Sequence, residues 1–300
     1  MPVSNRHILE QRASLGALGR VALRSLEQQL FRKKSGATPI VPGPTVEATI
    51  APRRAELIRA YVQNVGGNPS AYAGIVPAHF FSQWAFGLAS QVLEDLPYPL
   101  SRVLNVGCNL TVRAPMPAGE PLTVRARLEN IDDDGRRVVL TTRVVTSTRN
   151  VPDALTADMI AMVPLKRGKS ADGKGSDKRE TPTAPKDARE LARFTADARA
   201  GLDFAKLTGD FNPIHWLPPA ARAAGFPNVI LHGFGTMARA IEALNRTALE
   251  GDVTRLKKWS CRFTKPLVLP AEAGLYVRGN EVFVAKAQGE PAYLVGSYET

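Results

Sequence analysis

Between Gly209 and His215 the chain reads Gly-Asp-Phe-Asn-Pro-Ile-His, so Asp210, Asn212 and His215 bring a carboxylate, an amide and an imidazole within six residues. Gly-Asp and Asn-Pro are turn dipeptides, which predicts a tight loop rather than a strand or a helix interior. A loop can aim Asp210 and His215 at one point, the layout that general acid–base chemistry on a small electrophile requires. Downstream, Leu231-His232-Gly233 opens the run FGTMARAIEALNRTAL, whose apolar residues recur at helical spacing. The Gly233 N–H at that helix start meets the positive end of the helix dipole and is the candidate oxyanion donor. Taken alone, Asp210 and Asn212 are equally suited to capping backbone N–H groups in a turn. Their spacing to His215 and Gly233 favours catalysis for all four. The apolar neighbours Phe211, Pro213, Trp216 and Phe234 are the candidate substrate-binding residues, with Trp216 either lining a pocket or shielding the loop.

Phe204, then Leu207-Thr208-Gly209-Asp210, Asn212-Pro213-Ile214-His215 and Ala221, form a spaced pattern over one stretch. This pattern resembles the MaoC-like, (R)-specific enoyl-CoA hydratase family of the hotdog fold. The phrase CRFTKPLVLPAE at 261–272 also looks like the strand that follows the family's central helix. The resemblance covers roughly residues 187–300. It implies an α+β fold in which an antiparallel sheet wraps one long helix and two such units pair their sheets, a double hotdog. It further implies reversible hydration of a trans-2-enoyl thioester to the (R)-3-hydroxyacyl thioester, on CoA or on acyl-carrier protein; the small residues of the first unit's helix, described below, add the expectation of a medium or long chain. Asp210 and His215 would activate water, Asn212 would help position it, and the Gly233 N–H would hold the thioester oxygen. The alternatives are a (3R)-hydroxyacyl-[acyl-carrier-protein] dehydratase of fatty-acid synthesis, a thioesterase, and a non-catalytic acyl-thioester-binding hotdog subunit. Intact Asp210 and His215 argue against the last, and the GDxNPxH loop is not the mark of a hotdog thioesterase.

The first half repeats the plan. Gly66-Gly67-Asn68-Pro69-Ser70-Ala71 aligns with 210–215, and Val76 to Phe80 aligns with Val229 to Gly233. His79 and His232, and Cys108 and Cys261, share a 153-residue offset. The chain therefore reads as a tandem of two related units. Gly66, Ala71 and Phe80 stand where the second copy has Asp210, His215 and Gly233, so one active site per chain is expected. His79 keeps its place in a copy without the chemistry, which assigns His232 a structural role. Cys108 and Cys261 are expected to be buried, inert thiols. The helix after Gly74, with Pro77 near its first turn, carries the small residues Ala85, Gly87, Ala89 and Ser90, which leave room for an acyl tail or merely allow close packing.

The remaining organisation follows from composition. Residues 1–44 read as an amphipathic helix and a Pro/Gly linker, 45–164 as the first unit, 165–187 as a charged linker and 188–300 as the second unit. Strands at Thr45 to Ile50, around the Asp132 to Gly135 hairpin tip, and at LTADMIAMVPL complete the first unit. Of the net charge of +11, residues 1–54 and 166–187 carry +9 (nine Lys/Arg against three acids, and seven against four), so the excess sits in tails and linker. That distribution does not build a basic stripe on a folded face, and nucleic-acid binding is not expected. No apolar run is long enough to span a bilayer, and two cysteines form no disulfide framework, which points to a reducing, cytoplasmic setting. With no nucleotide-binding glycine fingerprint and no His/Cys ligand cluster in sequence, neither cofactor nor metal is expected. A homodimer is a further expectation of the resemblance.

Overall fold

The computed structural model describes residues 2–11, 16, 39–165 and 181–300. Most of the amphipathic N-terminal segment and of the charged linker lie outside the described residues. In chain order the strands are β1 (Val46–Ile50), β2 (Ile75–Val76), β3 (Leu104–Val112), β4 (Met116–Pro117), β5 (Leu122–Asp133), β6 (Arg137–Ser147), β7 (Leu155–Pro164), β8 (Arg189–Ala196), β9 (Lys258–Phe263), β10 (Ala271–Arg278), β11 (Glu281–Ala285) and β12 (Ala292–Glu299). The α-helices are α1 (Ala55–Asn64), α2 (Ser82–Leu93), α3 (Ala200–Thr208), α4 (Pro218–Ala223) and α5 (Gly233–Arg246).

The alternating sequence of β5 and β6 puts Val124, Ala126, Leu128, Val138, Leu140 and Val144 on one buried face, as a half-covered antiparallel sheet requires. Their hairpin closes at Gly135, whose φ of 74° is the left-handed conformation that glycine adopts without strain. The aspartates at the tip serve the turn: Asp133 Oδ1 accepts from Gly135 N and Asp134 Oδ1 from the N–H groups of Arg136 and Arg137.

Ten strands form one antiparallel sheet in the order β1-β5-β6-β7-β3-β9-β12-β11-β10-β8. The order is a palindrome. β1, β5, β6, β7 and β3 of the first half correspond to β8, β10, β11, β12 and β9 of the second. The halves join where β3 pairs with β9, and the register partners across that seam include Cys108 and Cys261. Residues related by the 153-residue repeat are thus direct partners, as a two-fold axis through the cysteine pair demands. Both thiols are buried, and burial pushes Cys261 up to about 12 and Cys108 well above its ordinary value. Each half-sheet wraps its own long helix, α2 or α5, and the two helices meet edge-to-face through Phe81 and Phe234 with ring centroids 5.3 Å apart. This is the double hotdog expected from the resemblance.

Two local expectations are corrected. Pro77 does not lie in the first turn of α2: it caps a 3-10 turn at Ala78–Phe80, and the α-helix proper begins at Ser82. The run after Gly233 is helical as expected but not one-faced. Phe234 through Asn245 are all buried, including Thr236, Arg239, Glu242 and Asn245, because the second half's helix is covered on one side by its own sheet and on the other by the first half.

Candidate active site

The loop from Gly209 to His215 is built by the elements on either side. Helix α3 ends in Gly209, whose φ of 83° is the left-handed C-cap that turns the chain out of the helix. Asn212 then accepts from Ile214 N (3.4 Å) and caps a 3-10 turn, Pro213–His215. Asn68 does the same for Ser70 N (3.1 Å) in the first copy, so the paired asparagines shape their loops. A Cβ on Gly201 would collide with the His215 carbonyl, so only glycine lets α3 press this closely on the loop.

His215 is buried, and its Nδ1 donates to the Ile230 carbonyl at 2.8 Å. Ile230 is itself held by Ile214 O and by a bridge to Val268. The ring therefore has one orientation, with Nδ1 protonated and the Nε2 lone pair left for chemistry. His232 stacks on His215, with ring centroids 3.6 Å apart and planes at 25°. Its Nε2 donates to the Asp210 carbonyl at 2.9 Å, fixing the backbone from which the carboxylate projects. One side-chain polar atom from each of Asp210, His215 and His232 lies within 4.8 Å of the other two.

The electrostatics follow from burial. Asp210 is raised above its ordinary value by desolvation, with the nearby His215 and the Asn212 N–H pulling the other way. His215 is lowered by desolvation, partly offset by Asp210 and by the bond to Ile230. His232 is lowered further, by burial and then by the facing His215. Two stacked imidazoles cannot both be cations at low cost, so the pair is neutral at neutral pH.

The fold thus assembles a cluster that short sequence spacing conceals: His232 joins Asp210 and His215. It corrects the expectation that no such cluster exists, for tertiary contact supplies the third member. The donor set nonetheless fits a metal poorly. His215 Nδ1 and His232 Nε2 are both committed to carbonyls, and the remaining lone pairs lie in two nearly parallel ring planes, where they do not converge on one ion.

Gly233 opens α5, and its N–H has no acceptor among the described residues. A Cβ there would meet the Phe263 ring at 2.6 Å, so glycine is required for the strand to close over the helix start. Phe211 and Trp216 are half-buried, and the Trp216 indole donates to Phe211 O at 3.0 Å, folding back across the loop. Pro213 is exposed, and Phe234 sits between Phe81 and Phe263 in the seam between halves. Sequence reasoning missed Gln11. Its side chain donates to the carbonyls of Lys206 and Leu207 and accepts from Gln83, pinning the N-terminal segment against the end of α3. No motif could have indicated it, since its partners lie 72, 195 and 196 residues away in sequence.

The first copy's loop is differently furnished. Glu242, from α5 of the second half, accepts from Tyr72 at 2.6 Å and meets His79 Nε2 at 2.9 Å, while Tyr61 bonds the other ring nitrogen at 3.0 Å. A Cβ on Gly67 would collide with that carboxylate. By the two-fold, the residue that faces the Asp210 loop from α2 is Ala89. One loop is plugged by a carboxylate and the other is met by a methyl group.

Residues 178–290 match the family described as MaoC like domain, and residues 55–155 match the FAS1-like dehydratase domain region. The chain is 28% identical over 258 residues to the 3-hydroxyacyl-thioester dehydratase X of Mycobacterium tuberculosis, covering 83% of this chain and 88% of that one. It is 45% identical over 67 residues to the peroxisomal enoyl-CoA hydratase 2 of Arabidopsis thaliana, covering 22% of this chain and 21% of that one. Among solved structures, HtdX of Mycobacterium tuberculosis superposes with a TM-score of 0.67 at 24% identity over 85% of this chain and 99% of that one. A second protein of that organism, described as a double hotdog, superposes at 0.56 with 13% identity over 87% of this chain and 96% of that one. These two likenesses concern the fold.

The order of titration tests the site's electrostatics. Imidazole NMR should find both His215 and His232 titrating below 6.5, with His232 the lower. Asp210→Asn should move His215 lower still, because the carboxylate that favours the imidazolium is gone. Since these folded values are depressed, folding stability is held above pH 6.5 and declines as the pH falls below it. A titration of either ring above 6.5 would contradict this reading.

Proposed function

We propose that this chain, which carries a MaoC-like domain over residues 178–290, is a hydro-lyase that adds water reversibly to trans-2-enoyl thioesters and yields (R)-3-hydroxyacyl thioesters. The observation that carries the reading is the His215 ring, held by its Nδ1 with Nε2 left uncommitted, in one buried cluster with the Asp210 side chain. The names of the relatives, thioester dehydratase and enoyl-CoA hydratase, support the same reaction class.

The chemistry needs a water beside the electrophilic β-carbon and a proton for the α-carbon. Asp210 and His215 hold the water between them. His215 Nε2 takes one of its protons as the oxygen bonds to the β-carbon, and the carbon–carbon double bond becomes an enolate. The negative charge gathers on the thioester oxygen, to which the Gly233 N–H at the start of α5 donates in this reading. One such donor is worth about 3 kcal/mol, roughly a hundredfold or more in rate. The proton then passes to the α-carbon on the same face. Dehydration runs through the same groups in reverse. His232 holds the Asp210 backbone, and Asn212 shapes the loop.

Only one loop per chain carries these parts. Gly66, Ala71 and Phe80 replace Asp210, His215 and Gly233 in the first copy, and Glu242 occupies it. On the active side, α2 offers Ala89 and the half-buried Phe86, Gly87 and Ser90. Of the small residues considered for an acyl tail, Ala85 and Ala89 are buried, and the half-buried Gly87 and Ser90 are the ones proposed to border the tail. Medium and long enoyl-CoA chains are the proposed substrates.

Asp210→Asn and His215→Ala should each lower the hydration of enoyl-CoA by about a hundredfold or more while the fold survives. Rates within tenfold of wild type for either would overturn the mechanism. Ser90→Leu should raise KM for long chains more than for the four-carbon substrate, since each buried methylene contributes about 0.8 kcal/mol. Equal losses at all chain lengths would show simple overpacking.

A further inference from the structure

Beside the first copy's loop lies a cavity of about 80 Å³, walled by Asn64, Gly66, Phe194, Arg239, Ala243 and Arg246 among others. The two-fold makes it the counterpart of the space in front of Asp210. Gly66 stands for Asp210, Ala243 for Ser90, and Arg239 and Arg246 for Phe86 and Leu93. An acid has been lost and two guanidinium groups gained, so the charge of the cavity is inverted relative to the proposed active site.

Arg239 is only 6% exposed. Its Nη1 donates to Gly235 O at 3.0 Å and its Nη2 to Asn64 O at 3.2 Å. Arg246 spends its Nε on Glu242 O at 3.3 Å. Among the described residues neither arginine reaches a carboxylate within ion-pairing distance. The nearest candidate on the helix, Glu242, is engaged by His79 and Tyr72, and Arg193 at the rim is paired with Glu190. Burial lowers Arg239 to about 10, with Tyr61 and Asp197 partly offsetting it, so the group stays cationic at neutral pH. A buried guanidinium whose hydrogen bonds go only to carbonyls, with Asp197 acting on it from beyond ion-pairing distance, gains from a counter-charge placed beside it. The Asn64 amide on the same wall has a buried oxygen without a donor, and a half-turn of that amide offers its NH2 instead.

We propose that this cavity is a second, non-catalytic site that binds a phosphoryl oxyanion between Arg239 and Arg246. A water needs only about 10–15 Å³, so a small tetrahedral anion has room. A planar guanidinium fork matches two of its oxygens. Free phosphate and the phosphate of a nucleotide-bearing ligand such as coenzyme A share this chemistry.

The test is calorimetric titration of the full chain with inorganic phosphate, against sodium chloride at matched ionic strength. Saturable binding at one site per chain is expected. Arg246→Gln, an exposed position that leaves the core intact, should weaken it by about tenfold or more. Gly66→Asp should abolish it, whereas Gly66→Asn, which places the same backbone demand at a φ of 82°, should retain it. Displacement of phosphate by coenzyme A would identify a nucleotide phosphate as the occupant, and failure to displace would identify the free anion. Absence of saturable binding above the chloride control would overturn the proposal. So would wild-type affinity in both Arg246→Gln and Gly66→Asp.

Discussion

The pairing of β3 with β9 is the contact on which the rest depends. It joins two five-stranded half-sheets into one, and it does so with Cys108 opposite Cys261. Once repeat-related residues face each other there, every other correspondence follows. α2 must lie against the second half's loop as α5 lies against the first half's. A hotdog half alone leaves one side of its helix uncovered, and the partner half covers it. That is why α5 can bury polar side chains around its whole circumference.

The symmetry makes two equivalent places, and the side chains make them different. In one, Tyr72 and His79 bond Glu242 directly, and Tyr61 and Asn245 bond His79 and Tyr72 in turn. A buried carboxylate with this many partners is well satisfied, and removing any one of them exposes a costly charge. In the other, the polar groups are Asp210 and His215, and nothing on α2 answers them: Ala89 stands where α5 has Glu242. Desolvation pushes both groups of that pair toward neutrality. The same His that is saturated by partners in one copy is, in the other, stacked behind His215 and tied to the Asp210 backbone. Filled polar groups hold the halves together, and the pair without a partner on α2 is the one that the proposed hydration would use.

Much of this was legible in the residues. The turn dipeptides located the loop, the 153-residue offset located its counterpart, and the alternation in β5 and β6 gave their buried faces. The paired cysteines, read as equivalent strand positions, turned out to be register partners. Other features were not legible, for physical reasons. Arg239 and Glu242 sit on a helix whose apolar spacing suggests a polar outer face, and only the cover of the first half, whose Asn64, Tyr72 and His79 they meet, explains their burial. His232 carried no sign of its stacking on His215, because sixteen residues of chain lie between the two rings in sequence. Gln11 reaches its partners across most of the chain. The paired asparagines, by contrast, were visible in both copies, and their shared capping geometry explains why an asparagine stands in the copy that lacks Asp210 and His215.

What separates the two places is the residue at one helix position, alanine on α2 and glutamate on α5. The most direct measurement is therefore kcat/KM for enoyl-CoA hydration in Ala89→Glu and its uncharged counterpart Ala89→Gln, with folding checked by circular dichroism and thermal melting. Both side chains should fill the space facing Asp210 and His215 and lower kcat/KM by about a hundredfold or more, equivalent to roughly 3 kcal/mol of transition-state stabilisation. A folded Ala89→Gln enzyme with a rate near that of wild type would contradict the account.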